Sequence, residues 1–166
     1  MKKTICISLV IVLCFGILAG CRHKAPEEKI VTLVWNGNQT EVMTSQWNSK
    51  SVEISTEDVS LGNGKIHDYV GVRLSDLMDI AGAEDCTKAI VKGSDGYTVE
   101  VDAEDIRNYE IALVNGYAGG KTISSDAGGP VKLIYPVTFH PELRDIYDTW
   151  SWCWYVNEVE FVGPDK

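Results

Sequence analysis

Five residues near the end of the chain, Val131-Lys132-Leu133-Ile134-Tyr135, are preceded by Asp126-Ala127-Gly128-Gly129-Pro130 and closed by Pro136. A run of high β propensity between a breaker cluster and a residue without a backbone N–H predicts one buried strand. Further on, Trp150, Trp152, Trp154 and Val156 alternate, and Val159 and Phe161 continue on the opposite parity. The alternation predicts a strand with three indoles on one face, and a bulge near Asn157 and Glu158 brings both sets to the same side. Each Trp ring buries about 150–250 Å², so the fold must place a large apolar surface here. Two readings stand: the indoles pack a core, or they wall a ligand pocket.

At the other end, Lys2 and Lys3 precede an apolar run from Ile5 to Leu18 that is too short to span a bilayer, which predicts a secretory signal over residues 1–20. The sequence Leu18-Ala19-Gly20-Cys21 resembles the lipobox of bacterial lipoproteins. That resemblance implies cleavage before Cys21 and diacylglycerol on its sulfur. The expected partner is therefore a membrane, reached through lipid at Cys21, with the protein on the extracytoplasmic face of the cell membrane; two or three acyl chains hold where one binds only reversibly. Residues 21–29, charged and carrying Pro26, then read as a tether, residues 30–162 as one domain and residues 163–166 as a tail.

The formal charge of −9 becomes −11 once Lys2 and Lys3 leave. Such an acidic domain excludes nucleic acid and anionic lipid surfaces as partners, since both select basic patches. Of the five cysteines, Cys6 and Cys14 leave with the signal and Cys21 takes the lipid. Cys86 and Cys153 remain, either as a disulfide or as two buried thiols.

Between the ends, Ile30–Trp35, Asn36-Gly37 and Gln39–Met43 predict a hairpin, and Val52–Ile54 a short strand. Ser55–Lys65 reads as a polar segment turning at Gly62-Asn63-Gly64, with Glu57 and Asp58 as solvated acids. Leu74, Leu77, Met78 and Ala81 recur at helical spacing before Gly82, a two-turn amphipathic helix with a left-handed cap. Ala89–Lys92 and Tyr97–Val101 flank a turn at Gly93-Ser94-Asp95-Gly96, with Tyr97, Val99 and Val101 on one face. Asp102 caps a short helix over Ala103–Asn108. Ile111–Val114 is a strand ending in a turn at Asn115-Gly116, residues 117–127 form a lid-like or surface loop, and one turn of helix passes through Arg144.

The order of Gly71-Val72-Arg73-Leu74-Ser75-Asp76-Leu77, Ser94-Asp95-Gly96-Tyr97, Val114-Asn115-Gly116 and Gly128-Gly129-Pro130-Val131-Lys132-Leu133 resembles the oxidoreductase molybdopterin-binding domain, the fold of sulfite oxidase and its relatives. Trp154 followed by Val159-Glu160-Phe161 is similar to the family's closing Trp and last strand. The resemblance implies an α+β fold of mixed, twisted sheets with a few short helices. It implies an enzyme whose molybdenum is held by a pterin dithiolene and one cysteine thiolate, a soft anionic ligand, in a basic pocket. Here residues 31–70 contain no cysteine, Val137 stands after Pro136 where the family has glycine, and Cys153 stands beside the closing Trp where the enzymes often have lysine. From the residues themselves no cofactor is expected; by resemblance it is molybdopterin. Two functions follow: a non-catalytic module binding a small ligand or a membrane or surface protein, or an active molybdenum oxidoreductase using Cys153.

The candidate ligand-binding residues are Tyr97, Gly128, Gly129, Lys132, His140 and Trp152. Lys132 is placed either toward a pocket or on the outward side of its strand. Gly128 and Gly129 either offer backbone N–H groups to an anion or form a tight turn. His140 and His67 show no metal-ligand spacing and read as surface histidines. No catalytic residue and no metal ligand is assigned.

Overall fold

The computed structural model describes residues 26–164; Cys21, the signal and most of the tether lie outside the described residues. Nine strands form two sheets with short helices between them. The chain starts with β1 (Lys29–Trp35) and β2 (Asn38–Met43), joined by Asn36 at φ 50° and Gly37 at φ 78°. Two consecutive left-handed residues make the tight turn whose twist matches a hairpin, the signal that Asn-Gly carries. Helix α1 (Thr44–Lys50), β3 (Val52–Glu57), β4 (Ile66–Arg73) and α2 (Leu74–Ala81) follow. In α2, Leu74, Leu77 and Met78 are buried and Gly82 closes the helix at φ 67°. The hairpin of β5 (Lys88–Gly93) and β6 (Thr98–Asp102) leads into α3 (Ala103–Asn108), whose first turn is capped by the Asp102 carboxylate accepting from Glu104 N at 2.7 Å. Strand β7 (Ala112–Tyr117), the three-residue β8 (Lys132–Ile134), α4 (Leu143–Ile146) and β9 (Val156–Val162) complete the domain.

The first sheet has the order β2-β1-β9-β5-β6 and the second β3-β4-β7-β8. Strand β9 runs parallel to β1 and antiparallel to β5. Both sheets feed one core, with Leu33, Val91, Val159 and Phe161 from the first and Val72, Leu113 and Leu133 from the second. The α+β fold with two sheets and short helices is the one expected. No helix among the described residues is long and apolar enough to cross a membrane.

Three expectations change. The indoles are not on a strand: Thr149–Ser151 is a 3-10 turn held by the Asp148 carboxylate, Trp150 is 75% exposed, Trp152 is buried, and β9 begins only at Val156, after Tyr155 at φ 55°. A side chain that caps a turn outbid an alternation that had only periodicity behind it. The bulge, in contrast, is where it was read. Lys92 pairs with Glu158 and Gly93 with Val156, so Asn157 is the extra residue and Val156, Val159 and Phe161 all face inward. Asn115-Gly116 makes no turn. Strand β7 runs on to Tyr117, and Asn115 is absorbed as a bulge between Gly71 paired with Val114 and Val70 paired with Gly116. Strand β3 also reaches Glu57 rather than stopping at Ile54, which carries Asp58 into the interior. Cys86 and Cys153 are both free and buried.

Candidate functional site

Asp58 and Lys132 are both fully buried, and the Lys132 ammonium donates to Asp58 Oδ2 at 2.6 Å. The sequence reading left Asp58 as a solvated acid; its partner is far away along the chain, on β8, and only the packing of the second sheet brings them together. Tyr69 on β4 donates its hydroxyl to the same Oδ2 at 2.6 Å, and Ser60 N donates to Oδ1 at 3.0 Å. Lys132 also donates to Ser60 Oγ at 3.1 Å and to the Ala127 carbonyl at 3.2 Å. Burial pushes the Asp58 carboxyl up, but the Lys132 ammonium and the donors from Ser60 and Tyr69 outweigh it and hold the group below the usual carboxylate range. Burial holds the Lys132 ammonium below its ordinary value against the pull of Asp58. The Tyr69 hydroxyl is raised by burial and by the adjacent Asp58. The strand alternation that left Lys132 undecided is resolved inward, and a buried charge with this many partners is what such a position requires.

This pair supports a layer of aromatic rings. Lys132 Nζ stands 5.1 Å from the ring centre of Trp154 and 5.9 Å from that of Trp152, a cation held against two indoles. Trp154 Nε1 donates to Ser60 Oγ at 3.2 Å. Against these residues opens a cavity of about 360 Å³, within the roughly 300–1,000 Å³ of small-molecule sites. Its walls are Tyr97, Trp150, Trp152, Trp154 and Tyr155, with Ser60, Thr149 and one charged side chain, Asp95.

Each wall is fixed locally. Asp95 Oδ1 accepts from Tyr97 N at 3.0 Å and shapes the β5–β6 turn. Tyr97 passes its hydroxyl to the Trp150 carbonyl at 2.6 Å, and Tyr155 passes its own to the Ser125 carbonyl at 2.9 Å. Gly128 sits at φ 91° with a Cβ position only 2.7 Å from the Trp154 ring, so the indole lies where any other residue would put its side chain.

Of the residues singled out from sequence, Tyr97 and Trp152 line this cavity and Lys132 lies beneath it. Gly128 backs Trp154, and Gly129 is pressed against the Ile123 carbonyl. The two glycine N–H groups donate to the Ser125 and Ser124 carbonyls, at 3.2 and 2.9 Å. His140 belongs elsewhere: it pairs with Glu142 at 3.3 Å, meets Tyr109 edge-on and borders a second cavity with Phe139 and Glu110. Ser60, Asp95, Thr149 and Tyr155, not singled out as ligand-binding from sequence, complete the wall, and Trp150 and Trp154 join Trp152 in it, the second of the two readings open for the indoles. The signal for them was the density of aromatics between Tyr147 and Tyr155, read there as a strand face.

Cys153 is fully buried beneath the wall, and burial, with Asp95 nearby, pushes its thiol up to about 12. Cys86 lies against Met78, 3.5 Å between sulfurs, and its thiol too is raised by burial. Among the described residues no group of three or more His, Cys, Asp and Glu side chains gathers as metal ligands would. Two buried polar atoms, Trp152 Nε1 and His67 Nε2, have no hydrogen-bond partner among the described residues.

Comparison with known proteins adds two findings. The sequence profile of the oxidoreductase molybdopterin binding domain matches residues 22–140, ending before the Thr149–Tyr155 segment that walls the cavity. Among solved structures, the sulfane dehydrogenase SoxCD from Paracoccus pantotrophus aligns with a TM-score of 0.58 at 14% identity, over 81% of this chain. The aligned part is 38% of that chain, so the two share a fold and this protein spans well under half of the other's length. No curated protein matches the sequence.

Proposed function

Because this chain belongs to the oxidoreductase molybdopterin binding domain family, we propose that it is a catalytically silent member, a small-ligand-binding module held by lipid on Cys21 at the extracytoplasmic face of a membrane. The observation that carries the reading is the chemistry of the cavity wall. A molybdenum pterin brings an anionic phosphate, which calls for arginine and lysine donors, and a metal that calls for a protein thiolate. The wall is made of indoles, phenols, two hydroxyls and one carboxylate. The nearest cation, Lys132, is committed to Asp58, and the nearest thiol, Cys153, is buried and keeps its proton at any physiological pH. These residues do not fit the pterin group. What they do fit is binding: aromatic side chains, three of them (Tyr97, Trp154 and Tyr155) tied by hydrogen bonds, give a ligand a preformed apolar seat.

The anchor rests on Leu18-Ala19-Gly20-Cys21 and the apolar run before it. The test of the silent-module reading is elemental analysis of the protein purified from a host that makes molybdenum cofactor. The expected result is molybdenum far below one atom per chain. Stoichiometric molybdenum would overturn the reading in favour of an active molybdenum oxidoreductase.

A further inference from the structure

We propose that the aromatic cavity takes a small organic cation of the quaternary ammonium class; this rests on the ligand-binding reading above and gives that ligand its chemistry. Three indoles and two phenols line the cavity; the face of an aromatic ring carries a negative quadrupole, and Trp is the strongest of these cation acceptors. The fold already uses the attraction once, since the Lys132 ammonium rests against Trp154 and Trp152 from within. Lys132 does not repel a second cation, because Asp58 matches its charge at 2.6 Å.

Asp95 is the only formally charged residue in the wall, and it is exposed, with Oδ1 engaged by Tyr97 N. An anion would meet this carboxylate and five electron-rich rings. A neutral apolar ligand would gain nothing from Asp95, whereas a quaternary ammonium pairs with it while its methyl groups lie on the rings. The exposure of Trp150 points the same way. Its indole is 75% open to water, yet its backbone carbonyl is held by Tyr97 and its turn by Asp148. A large aromatic kept rigid and uncovered beside a cavity is a contact surface awaiting a partner.

The experiment follows Trp fluorescence and calorimetry as choline is added to the purified protein, with 3,3-dimethylbutan-1-ol as the uncharged carbon isostere and inorganic phosphate as the anion. Choline is expected to bind at one site, with the isostere about tenfold weaker, the discrimination that a partly desolvated cation–π contact supplies. Asp95→Asn keeps the turn, because an amide oxygen still accepts from Tyr97 N. It and Trp150→Ala, a change at an exposed side chain, should each weaken choline several-fold, while Phe139→Ala, exposed and away from the cavity, leaves it unchanged.

Phosphatidylcholine vesicles in a parallel sedimentation arm, run on Cys21→Ser protein so that no acyl anchor contributes, identify the source: co-sedimentation that free choline competes away supports a lipid headgroup, and binding of free choline alone supports a solute. Equal binding of choline and its isostere, preference for phosphate, or no binding of choline at millimolar concentration overturns the inference. Failure of the silent-module reading is seen separately, as stoichiometric molybdenum in the same preparation.

Discussion

Lys132 and Asp58 decide more than any other two side chains, because each would be untenable alone at zero exposure. Removing one partner of a buried pair leaves an uncompensated charge, a loss of about 3–5 kcal/mol. Lys132→Met is therefore expected to lower unfolding stability by that amount in urea titrations, and it also weakens the Asp58 share of the acid response. In the native protein the Asp58 carboxyl lies below its unfolded value of 3.8. Its contribution is full above that value and is lost as pH falls through the folded one, because the unfolded chain takes up the proton first. Without Lys132 the burial that opposes ionisation faces only the Ser60 and Tyr69 donors, so the folded carboxyl moves up and the stability that Asp58 loses as pH falls becomes smaller than in the native protein. Urea midpoints of both proteins from neutrality downward separate the two slopes. None of this could be read at Asp58 itself, whose neighbours in sequence, Glu57, Val59 and Ser60, look like any polar turn.

At the scale of elements, the crossing of β4 and β7 is the tightest point in the second sheet. A Cβ on Gly71 would stand 2.1 Å from the Leu113 carbonyl oxygen, so backbone rather than a pliable side chain would have to move. Gly71→Ala should cost about 3 kcal/mol, the upper part of the overpacking range, in chemical denaturation. Gly82→Ala, left-handed but with open space around its Cβ, should cost about 1–2 kcal/mol and serves as the reference.

Elements whose signals are local were legible: the Asn36-Gly37 hairpin, the Gly82 cap, the Asp102 cap and the bulge at Asn157. Elements whose cause is remote were not. Helix α1 has no capping side chain at Met43; it is tied instead by Thr44 and Ser45 to Glu28 and Glu27, and Trp47, its one buried residue, donates to Asn115 on β7, far along the chain. That same contact uses Asn115 as a bulge residue, which is why an Asn-Gly pair, elsewhere a turn, is carried through a strand. A pocket walled by the indoles was one of two readings open from sequence, but its construction was not legible for a related reason: its wall comes from Ser60, the β5–β6 turn and Thr149–Tyr155, and a regular alternation disguised the irregular backbone of the last.

For the whole molecule, the charge of −9 sets the surface against anionic bilayers, so the proposed membrane attachment rests on the lipid proposed for Cys21. Cys21→Ser, expressed in a bacterium that lipidates such proteins, is expected to move the protein from the membrane fraction to the soluble fraction at low as well as high salt. Retention on the membrane would transfer the attachment to the folded domain. Family membership and the general fold were accessible from ordered short motifs, whereas the ligand chemistry was not, since it arises from which rings share a hollow. One last consequence concerns synthesis. In the first sheet, β9 lies between β1 and β5, the third of five strands and the final one to be made. Until it emerges, the nascent chain holds two separate hairpins with bare edges, so the first sheet closes only once β9 has been made.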